Sequence, residues 1–380
     1  MRITSQNMIT VVPTDENPTK LWGLTTAERV RRIARAASLG VEDQLPVDGA
    51  VVLANNAHVF DPGWLKHVAG HPGEVLTLGG VPVVAHCRTA EERALVDAAM
   101  REGRPLPAGT SMKAIAHESG VQAINSELRK REQPFALKLE PSTVRAAERA
   151  SYFGAYKGVT DVLTKYLWPE WALVLTRLAA RIGMSPNMVT AIGALLCVVA
   201  TVAFWYGHYW WGMAAGLVFM VLDTVDGKLA RCTITSSKWG DVFDHGIDLV
   251  HPPFWWYAWG VGLWAYGRPL APETFALALW VIIGGYVLQR LIEGAFLQWY
   301  GMHIHVWEKL DSDFRLITAR RNPNMVILFA SMLVARPDLG LVAVAAWTAL
   351  SLVFHAVRLA QAAWRHRRGN PIRSWLEQAA

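Results

Sequence analysis

The chain reads as an α-helical integral membrane bundle of about six transmembrane helices, preceded by an interfacial amphipathic helix and a soluble α/β domain. Three observations predict this. From Ile182 to Leu222 no residue is Asp, Glu, Lys or Arg, a stretch long enough for two passes of the ~20 residues a bilayer core requires. Residues 1 to about 140 instead alternate short apolar runs with polar amphipathic stretches, the rhythm of an α/β layer fold. Composition agrees with a membrane half: 52% of the 380 residues are hydrophobic, only 18% are charged, and 18 are Trp. Indole rings favour the headgroup level, where the ring is sheltered and its N–H stays wet.

The N-terminus comes first. Met1 to Gly40 is mixed and polar, with no apolar signal segment, so insertion is expected from later segments. Residues 49–54 and 81–85 are short apolar runs that read as buried strands. Residues 26–37 and 89–101 read as helices, the first capped by Thr25 or Thr26. These elements define a soluble domain over 1–140.

Residues 141–183 change character. Arg145, Arg149, Lys157, Lys165, Arg177 and Arg181 are interleaved with Tyr152, Phe153, Tyr156, Tyr166, Trp168 and Trp171. A basic helix with an aromatic face suits the bilayer surface; a solvated linker is the plainer alternative. The bundle follows over 184–366. The uncharged stretch breaks at Tyr206-Gly207-His208-Tyr209, which separates the first two spans, and the others are expected near 240–267, 272–300, 322–336 and 338–361. The fifth is short, so the bilayer would thin around it. A tail, 367–380, completes the chain.

Orientation follows from the loops. Those after spans two and four hold Lys228, Arg231, Lys238, Lys309, Arg315, Arg320 and Arg321, whereas the alternate loops hold Arg268 and Arg336. Basic loops stay in the cytoplasm, which places both termini there and makes the chain a multi-pass protein of the cell (inner) membrane. A net charge of +6 suits anionic lipid or an anionic substrate; no nucleic-acid-binding motif is present, so no nucleic acid is expected as a partner. The three cysteines, Cys87, Cys197 and Cys232, are far apart and form neither a disulfide framework nor a metal motif.

The chemistry concentrates at the second and third spans: Asp223, Asp226, Gly227, Ala230 and Arg231, then Gly240, Asp244 and Asp248. Carboxylates at the membrane face of an apolar bundle are costly unless paired, hydrated or bound to cations. Asp223 and Asp226 are i,i+3 neighbours, Asp244 and Asp248 i,i+4 neighbours, so each pair shares a helix face. If the two helices pack antiparallel through the turn at 232–239, all four converge. Hard oxygen ligands of this kind select Mg²⁺, Mn²⁺ or Ca²⁺ over zinc, and two metals could hold a pyrophosphate and stabilise a leaving phosphate. A structural helix pair with a polar seam is the bland alternative.

The spacing D-x2-D-G-x2-A-R-x8-G-x3-D-x3-D resembles the signature of the CDP-alcohol phosphotransferase family, with every fixed position filled, and Ser185 to Thr190 resembles the family's S/T-P-N-x-V-T entry to the first span. The resemblance covers roughly 155–360. It implies six spans, a homodimer, a Mg²⁺ or Mn²⁺ site, and transfer of a substituted phosphoryl group from a CDP-linked donor to an alcohol with release of CMP, in phospholipid biosynthesis. It implies Asp223, Asp226 and Asp244 as metal ligands, with Asp248 shared between the metal and the acceptor hydroxyl as base. Gly227, Ala230 and Arg231 would line the cytidine diphosphate site with Asp223 and Gly240, and Asn187 and Thr190 close by. The donor would be CDP-diacylglycerol or a soluble CDP-polyol.

The soluble half is similar to sugar-nucleotidyltransferase or cytidylyltransferase domains at Trp22-Gly23-Leu24-Thr25 and along Val51 to Pro62. It departs from them where a metal-binding Asp is usual, reading Asn56-Ala57, and it lacks a Gly-rich nucleotide loop ending in a basic residue. It is therefore read as degenerate: structural, regulatory or membrane-docking. Fusion of such a domain tilts the acceptor toward a phosphorylated polyol such as inositol phosphate, with Lys157, Arg177, Arg181, Arg315, Arg320 and Arg321 as candidates to grip its phosphate. Charge needed only for topology and anionic lipid is the alternative for these. Arg290 and Glu293 suit a buried pair, His303 and His305 surface histidines, and Trp210, Trp211, Trp255 and Trp256 an interfacial belt. Two other functions fit the whole chain: a bifunctional enzyme that also makes its donor, and a non-enzymatic transporter or lipid-binding scaffold.

Overall fold

A computed structural model describes residues 9–46 and 49–378. The first and last residues of the soluble-domain and tail expectations, 1–8 and 379–380, lie outside the described residues. The soluble half runs β1 (Thr10–Thr14), α1 (Thr26–Ala36), β2 (Gly40–Val41), β3 (Val51–Asn55), β4 (His58–Phe60), α2 (Pro62–Ala69), β5 (Glu74–Leu78), β6 (Val81–Cys87), α3 (Ala90–Glu102), β7 (Lys113–Ala116), β8 (Ala123–Asn125), β9 (Lys130–Glu132) and β10 (Ala136–Lys138). Six strands form one sheet in the order β2-β1-β3-β6-β5-β7. β6 is antiparallel to both of its neighbours, while β1 is parallel to β2 and β3, and β5 to β7.

Alternation along the strands divides the core. Val11, Val52, Ala54, Leu76 and Val84 meet Val30, Ile33, Leu65 and Val68 of α1 and α2. Val12, Val51, Leu53, Val75 and Ala85 meet Val96 and Met100 of α3. Apolar runs that are buried on both faces make a three-layer α/β/α sandwich. Thr25 caps α1 by accepting from the Glu28 N–H at 3.2 Å, and Thr89 caps α3 at 3.1 Å from the Glu92 N–H. The second helix therefore starts one residue later than its apolar pattern suggests.

The helical half continues with α4 (Val144–Gly154), a five-residue π-helical turn (Leu163–Leu167), α5 (Pro169–Arg181), α6 (Pro186–Trp205), α7 (Tyr209–Cys232), α8 (Lys238–Tyr266), α9 (Pro272–Tyr300), α10 (Lys309–Arg315), α11 (Arg321–Leu333), α12 (Pro337–Arg367) and α13 (Trp375–Gln378). Three helices, α6, α9 and α12, are long and apolar enough to cross a membrane. Their outward faces carry Leu195, Val198 and Val202, then Leu277, Trp280 and Leu291, then Leu350, Val353 and Val357, all exposed. Apolar stripes of that extent are out of place in water.

The basic segment 141–183 is three pieces instead of one helix. Glu148 of α4 takes a hydrogen bond from Arg177 of α5 at 2.7 Å, and Arg149 pairs with Glu170. The Trp expectation divides: Trp210 and Trp211 are exposed, whereas Trp255 and Trp256 are buried in the bundle. Trp255 donates to the Cys197 carbonyl at 3.2 Å, so a partner inside the core lets the indole leave the interface.

α6 is the spine of this half, packed along both α7 and α8. α7 and α8 meet through long side chains, with Phe219 edge-on to His251 and Trp255. At the far end the α6–α7 turn leans on α8. A Cβ on Gly262 would lie 1.9 Å from the Phe204 carbonyl oxygen, and one on Gly207 (φ +73°) 2.8 Å from that of Gly262. Gly262→Ala should therefore reduce the yield of folded, detergent-soluble protein sharply. Gly284→Ala, whose Cβ would meet nothing within 4 Å, should be neutral or slightly stabilising by size-exclusion chromatography and thermal unfolding, because Ala favours helix over Gly.

His58 of β4 is buried without a partner for Nδ1. Burial, with Lys138 beside it, lowers its pKa to about 4. The unfolded imidazole binds its proton near 6.5, so between pH 6.5 and 4 the unfolded state holds more protons and stability falls as pH falls. The loss is on the order of 3 kcal/mol. It should appear as smaller protection factors of the β4–β10 amides below pH 6.5, once the intrinsic pH dependence of exchange is divided out, and be muted in His58→Gln.

Candidate active site

The aspartates converge as their spacing suggests, by a different packing. Asp223 of α7 and Asp244 and Asp248 of α8 each bring a carboxylate oxygen within 4.8 Å of the others. Asp226, one turn further along α7, is buried and shares a small cleft with Asp223, Asp244 and Thr190. Because α6 stands beside both helices, a gap remains between α7 and α8, and the carboxylates face it.

Two polar contacts hold the cluster. Thr190 of α6 donates to Asp226 Oδ2 at 2.6 Å. Arg321, the first residue of α11, forks between Asp248 Oδ1 and Asp223 Oδ2, at 2.7 Å each. Planar guanidinium geometry suits such bridging. One cation against four carboxylates leaves negative charge among all-oxygen donors, a set that fits hard divalent ions.

α8 is built for this position. Ser237 caps it, accepting from the Gly240 N–H at 3.0 Å. Gly240 lies against Asn187: a Cβ there would be 3.1 Å from Asn187 Oδ1. Pro253 cannot donate to the Leu249 carbonyl one turn back, and Tyr286 of α9 supplies that bond at 3.1 Å. Gly227 gives Arg231 room, since a Cβ there would be 3.0 Å from Arg231 Nη2. Ala230 is half-buried on the same helix.

Beside the aspartates opens a cavity of about 390 Å³. Its lining holds eight Arg and Lys side chains against four carboxylates. Lys157, Arg315, Arg320 and Arg321 of the predicted acceptor set lie there, as does Arg231. Arg177 and Arg181 do not: Arg177 is spent on Glu148, and Arg181 is exposed at the end of α5. Arg321 is committed to the aspartates, so its predicted role on an acceptor is replaced by one in the cluster. Burial lowers the Lys157 pKa to about 8.

Among the lining residues Arg290 and Glu293 form the ion pair expected of them, whereas the inward positions of Lys228 and His305 carry no signal in the sequence. Lys228 is buried, donating to the Ala155 carbonyl at 2.9 Å with Nζ 3.4 Å above the Tyr156 ring. Glu293 accepts from Arg290 at 3.0 Å and Arg320 at 2.6 Å and lies 3.3 Å from His305. His305 is thus buried beside an ion pair, contrary to the surface position expected from its loop, because a short 3₁₀ turn (Ile304–Val306) folds it inward. Asp161 accepts from Asn322 at 3.0 Å, fixing the juxtamembrane segment to the start of α11 beside Arg321.

Soluble and membrane halves meet at α7. Arg29 and Arg32 of α1 donate to the carbonyls of Cys232 and Thr233, at 2.8 and 3.0 Å. Cations there satisfy carbonyls left open at a helix C-terminus and complement its dipole.

Fold and site together describe a chain with helices apolar enough for a membrane and an acidic cluster beside a cavity rich in cationic side chains. Residues 183–353 match the CDP-alcohol phosphatidyltransferase family model, so that segment is similar to proteins of this family. Among its relatives, cholinephosphotransferase 1 of Gallus gallus is 31% identical over 127 residues, 30% of this chain and 36% of that protein. A phosphatidylinositol phosphate synthase of Streptomyces avermitilis is 34% identical over 93 residues, 23% of this chain and 38% of that one. A second such synthase, of Mycobacteroides abscessus, is 35% identical over 89 residues, 22% and 40% of the two chains. The matched segments span well under half the length of these relatives.

If the cluster takes a divalent ion, the Thr190 contact should tune it. Thr190→Val should weaken Mn²⁺ binding by about 10- to 100-fold in calorimetry, the usual effect of losing a hydrogen bond to a ligating carboxylate. Unchanged affinity would place the ion elsewhere.

Proposed function

We propose that this chain is a metal-dependent transferase moving a substituted phosphoryl group from a CDP-linked donor to an alcohol in phospholipid biosynthesis. The observation that carries the reading is the gathering of four aspartates beside a strongly cationic cavity that two of them, Asp223 and Asp248, line. Carboxylates and cations side by side suit a reaction in which a metal-bound diphosphate is split next to a second anion.

In this reading Asp223, Asp226, Asp244 and Asp248 hold Mg²⁺ or Mn²⁺, as a two-metal site. The ions would neutralise the diphosphate and stabilise the leaving phosphate. Arg231 and Lys157 hold the donor, with Asn187, Thr190, Gly227, Ala230 and Gly240 shaping the walls around the nucleotide. Asp248, one oxygen held by Arg321, takes the proton from the acceptor hydroxyl with the other. The hydroxyl oxygen attacks the β-phosphorus, the bond from β-phosphorus to the bridging oxygen breaks, and CMP leaves with that oxygen. Anchoring by Arg321 keeps Asp248 oriented as general base.

The names of the relatives offer different acceptors. The cation excess favours an anionic one, a polyol phosphate such as inositol phosphate, and the synthases of phosphatidylinositol phosphate are relatives of that type. CDP-diacylglycerol is the matching donor. Asn56 donates to the Asp15 carbonyl at 2.7 Å, and Asn55 to that of Pro82 at 2.9 Å. Amides committed to the backbone there support a structural role for the soluble domain, read as a degenerate nucleotidyltransferase over 1–140. Topology is proposed as six spans, α6 to α9, α11 and α12, with both termini and the site at the cytoplasmic face of the cell membrane. The exposed Trp171, Val174 and Leu178 of α5 support an interfacial helix within 141–183. A homodimer completes the proposal.

CMP release with Mg²⁺ or Mn²⁺, CDP-diacylglycerol and a panel of alcohols tests this. Asp248→Asn should lower turnover by about 10²- to 10⁴-fold and leave CDP binding largely intact. Wild-type protein that releases no CMP with any acceptor and binds no CDP would overturn the reading.

A further inference from the structure

The cavity extends beyond the membrane half. Arg129 lies in the β8–β9 hairpin of the soluble domain, yet its side chain lines the same cavity as Asp223 and Asp248. Three contacts dock the hairpin's turn onto the segment ahead of the π-helical turn. The Gly158 N–H donates to the Leu128 carbonyl at 2.8 Å, and Lys130 Nζ donates to the carbonyls of Gly154 at 2.6 Å and Phe153 at 3.3 Å. Only glycine fits at 158, where a Cβ would be 2.6 Å from Lys130 Cβ and 2.7 Å from the Arg129 carbonyl oxygen.

The backbone at Arg129 is left-handed, φ +51°, a region that favours Gly or Asn. Turn geometry therefore gives no reason for an arginine here; the side chain does. It makes no hydrogen bond or ion pair among the described residues, and its Nε is buried without a partner. Arg315 is in the same condition: 8% exposed, with Nε and Nη1 both unpartnered. The charges that Arg129 senses most strongly are Arg320 and Glu293, and Arg315 senses Arg320, Asp161 and Arg129. This end of the cavity thus gathers Arg129, Arg290, Arg315 and Arg320 around Glu293 and Asp161, an excess of two positive charges. Buried charge in excess calls for a counterion, and a phosphate monoester carries about −1.5 to −2 at neutral pH.

We propose that Arg129 and Arg315 form the phosphate-recognising end of the acceptor site, so that the soluble domain supplies a specificity-determining residue to the membrane domain. The proposal rests on the transferase reading above. It assigns the domain a chemical role without nucleotide transfer: it selects an alcohol that carries a phosphomonoester. An uncharged alcohol leaves two guanidinium groups buried without an anion. An arginine forks onto two phosphate oxygens, which a lysine cannot reproduce.

The test uses purified full-length protein in detergent and two thermal-shift titrations, one with inositol 1-phosphate and one with CDP plus Mg²⁺. In Arg129→Ala, inositol 1-phosphate should bind at least tenfold more weakly while the CDP response is unchanged. Arg129→Lys, which keeps the charge and the hairpin, should recover part of the affinity. In turnover, Arg129→Ala should raise KM for the phosphorylated alcohol and leave KM for the donor unchanged. Equal inositol 1-phosphate binding by wild type and Arg129→Ala would overturn the proposal. So would parallel loss of both responses in both variants, which marks a purely structural residue. A wild type that answers CDP but not inositol 1-phosphate overturns it and leaves the transferase reading standing; a wild type that answers neither removes both.

Discussion

Four carboxylates cannot be gathered at the end of an apolar helix bundle without something to hold them apart and in place. Arg321 does much of this, with one planar group tied to Asp223 on α7 and Asp248 on α8 at equal distances. Its position at the first turn of α11 requires that helix to start level with the aspartates. The bond between Asn322 and Asp161 then pins the juxtamembrane segment to the same level. α6 sets the spacing, since it packs along both aspartate-bearing helices and keeps them from closing on each other. The gap so preserved is where chemistry can happen.

The soluble sandwich is joined to this arrangement at three places. Arg29 and Arg32 cap the end of α7, Trp22 donates to Ser151 of α4 at 2.7 Å, and the β8–β9 hairpin docks beside Gly158. Each contact is polar and directional, and two of the three end on backbone carbonyls, so the two halves are held in register by geometry as well as by apolar burial. A domain held this closely to the helix that carries Asp223 and Asp226 contributes to that helix's position.

Much of this was legible in the sequence, for identifiable reasons. Asp223, Asp226, Asp244 and Asp248 lie at helical spacings, so neighbours along the chain report their shared faces. Strands such as Val51–Asn55 announce themselves as apolar runs, and Thr25 as a cap. What stayed hidden depends on partners distant in sequence. Nothing near Lys228 foretells a cation resting on Tyr156, and nothing near Arg129 foretells a membrane cavity. The alternation of His303 and His305 looks like a surface loop until the 3₁₀ turn buries the second against Glu293. Trp is similarly ambiguous: at 210 and 211 the indoles face outward, whereas at 255 and 256 they are swallowed by the bundle. Pairwise convergence could be read from spacing, but the helix that stands between the pair could not.

α11 has only 13 residues, about 20 Å of helix, and the adjoining α12 has 31, about 46 Å. Joined by a tight turn at one end, they differ at the other by roughly 27 Å. α10 and the 3₁₀ turn before it cover the extra length of α12: Arg358 pairs with Asp311 at 2.6 Å, and Phe354 stacks on Phe314 with ring centroids 3.8 Å apart. The shortness of a single helix thus leaves room for the segment that brings Arg315 and Arg320 to the cavity beside the aspartates.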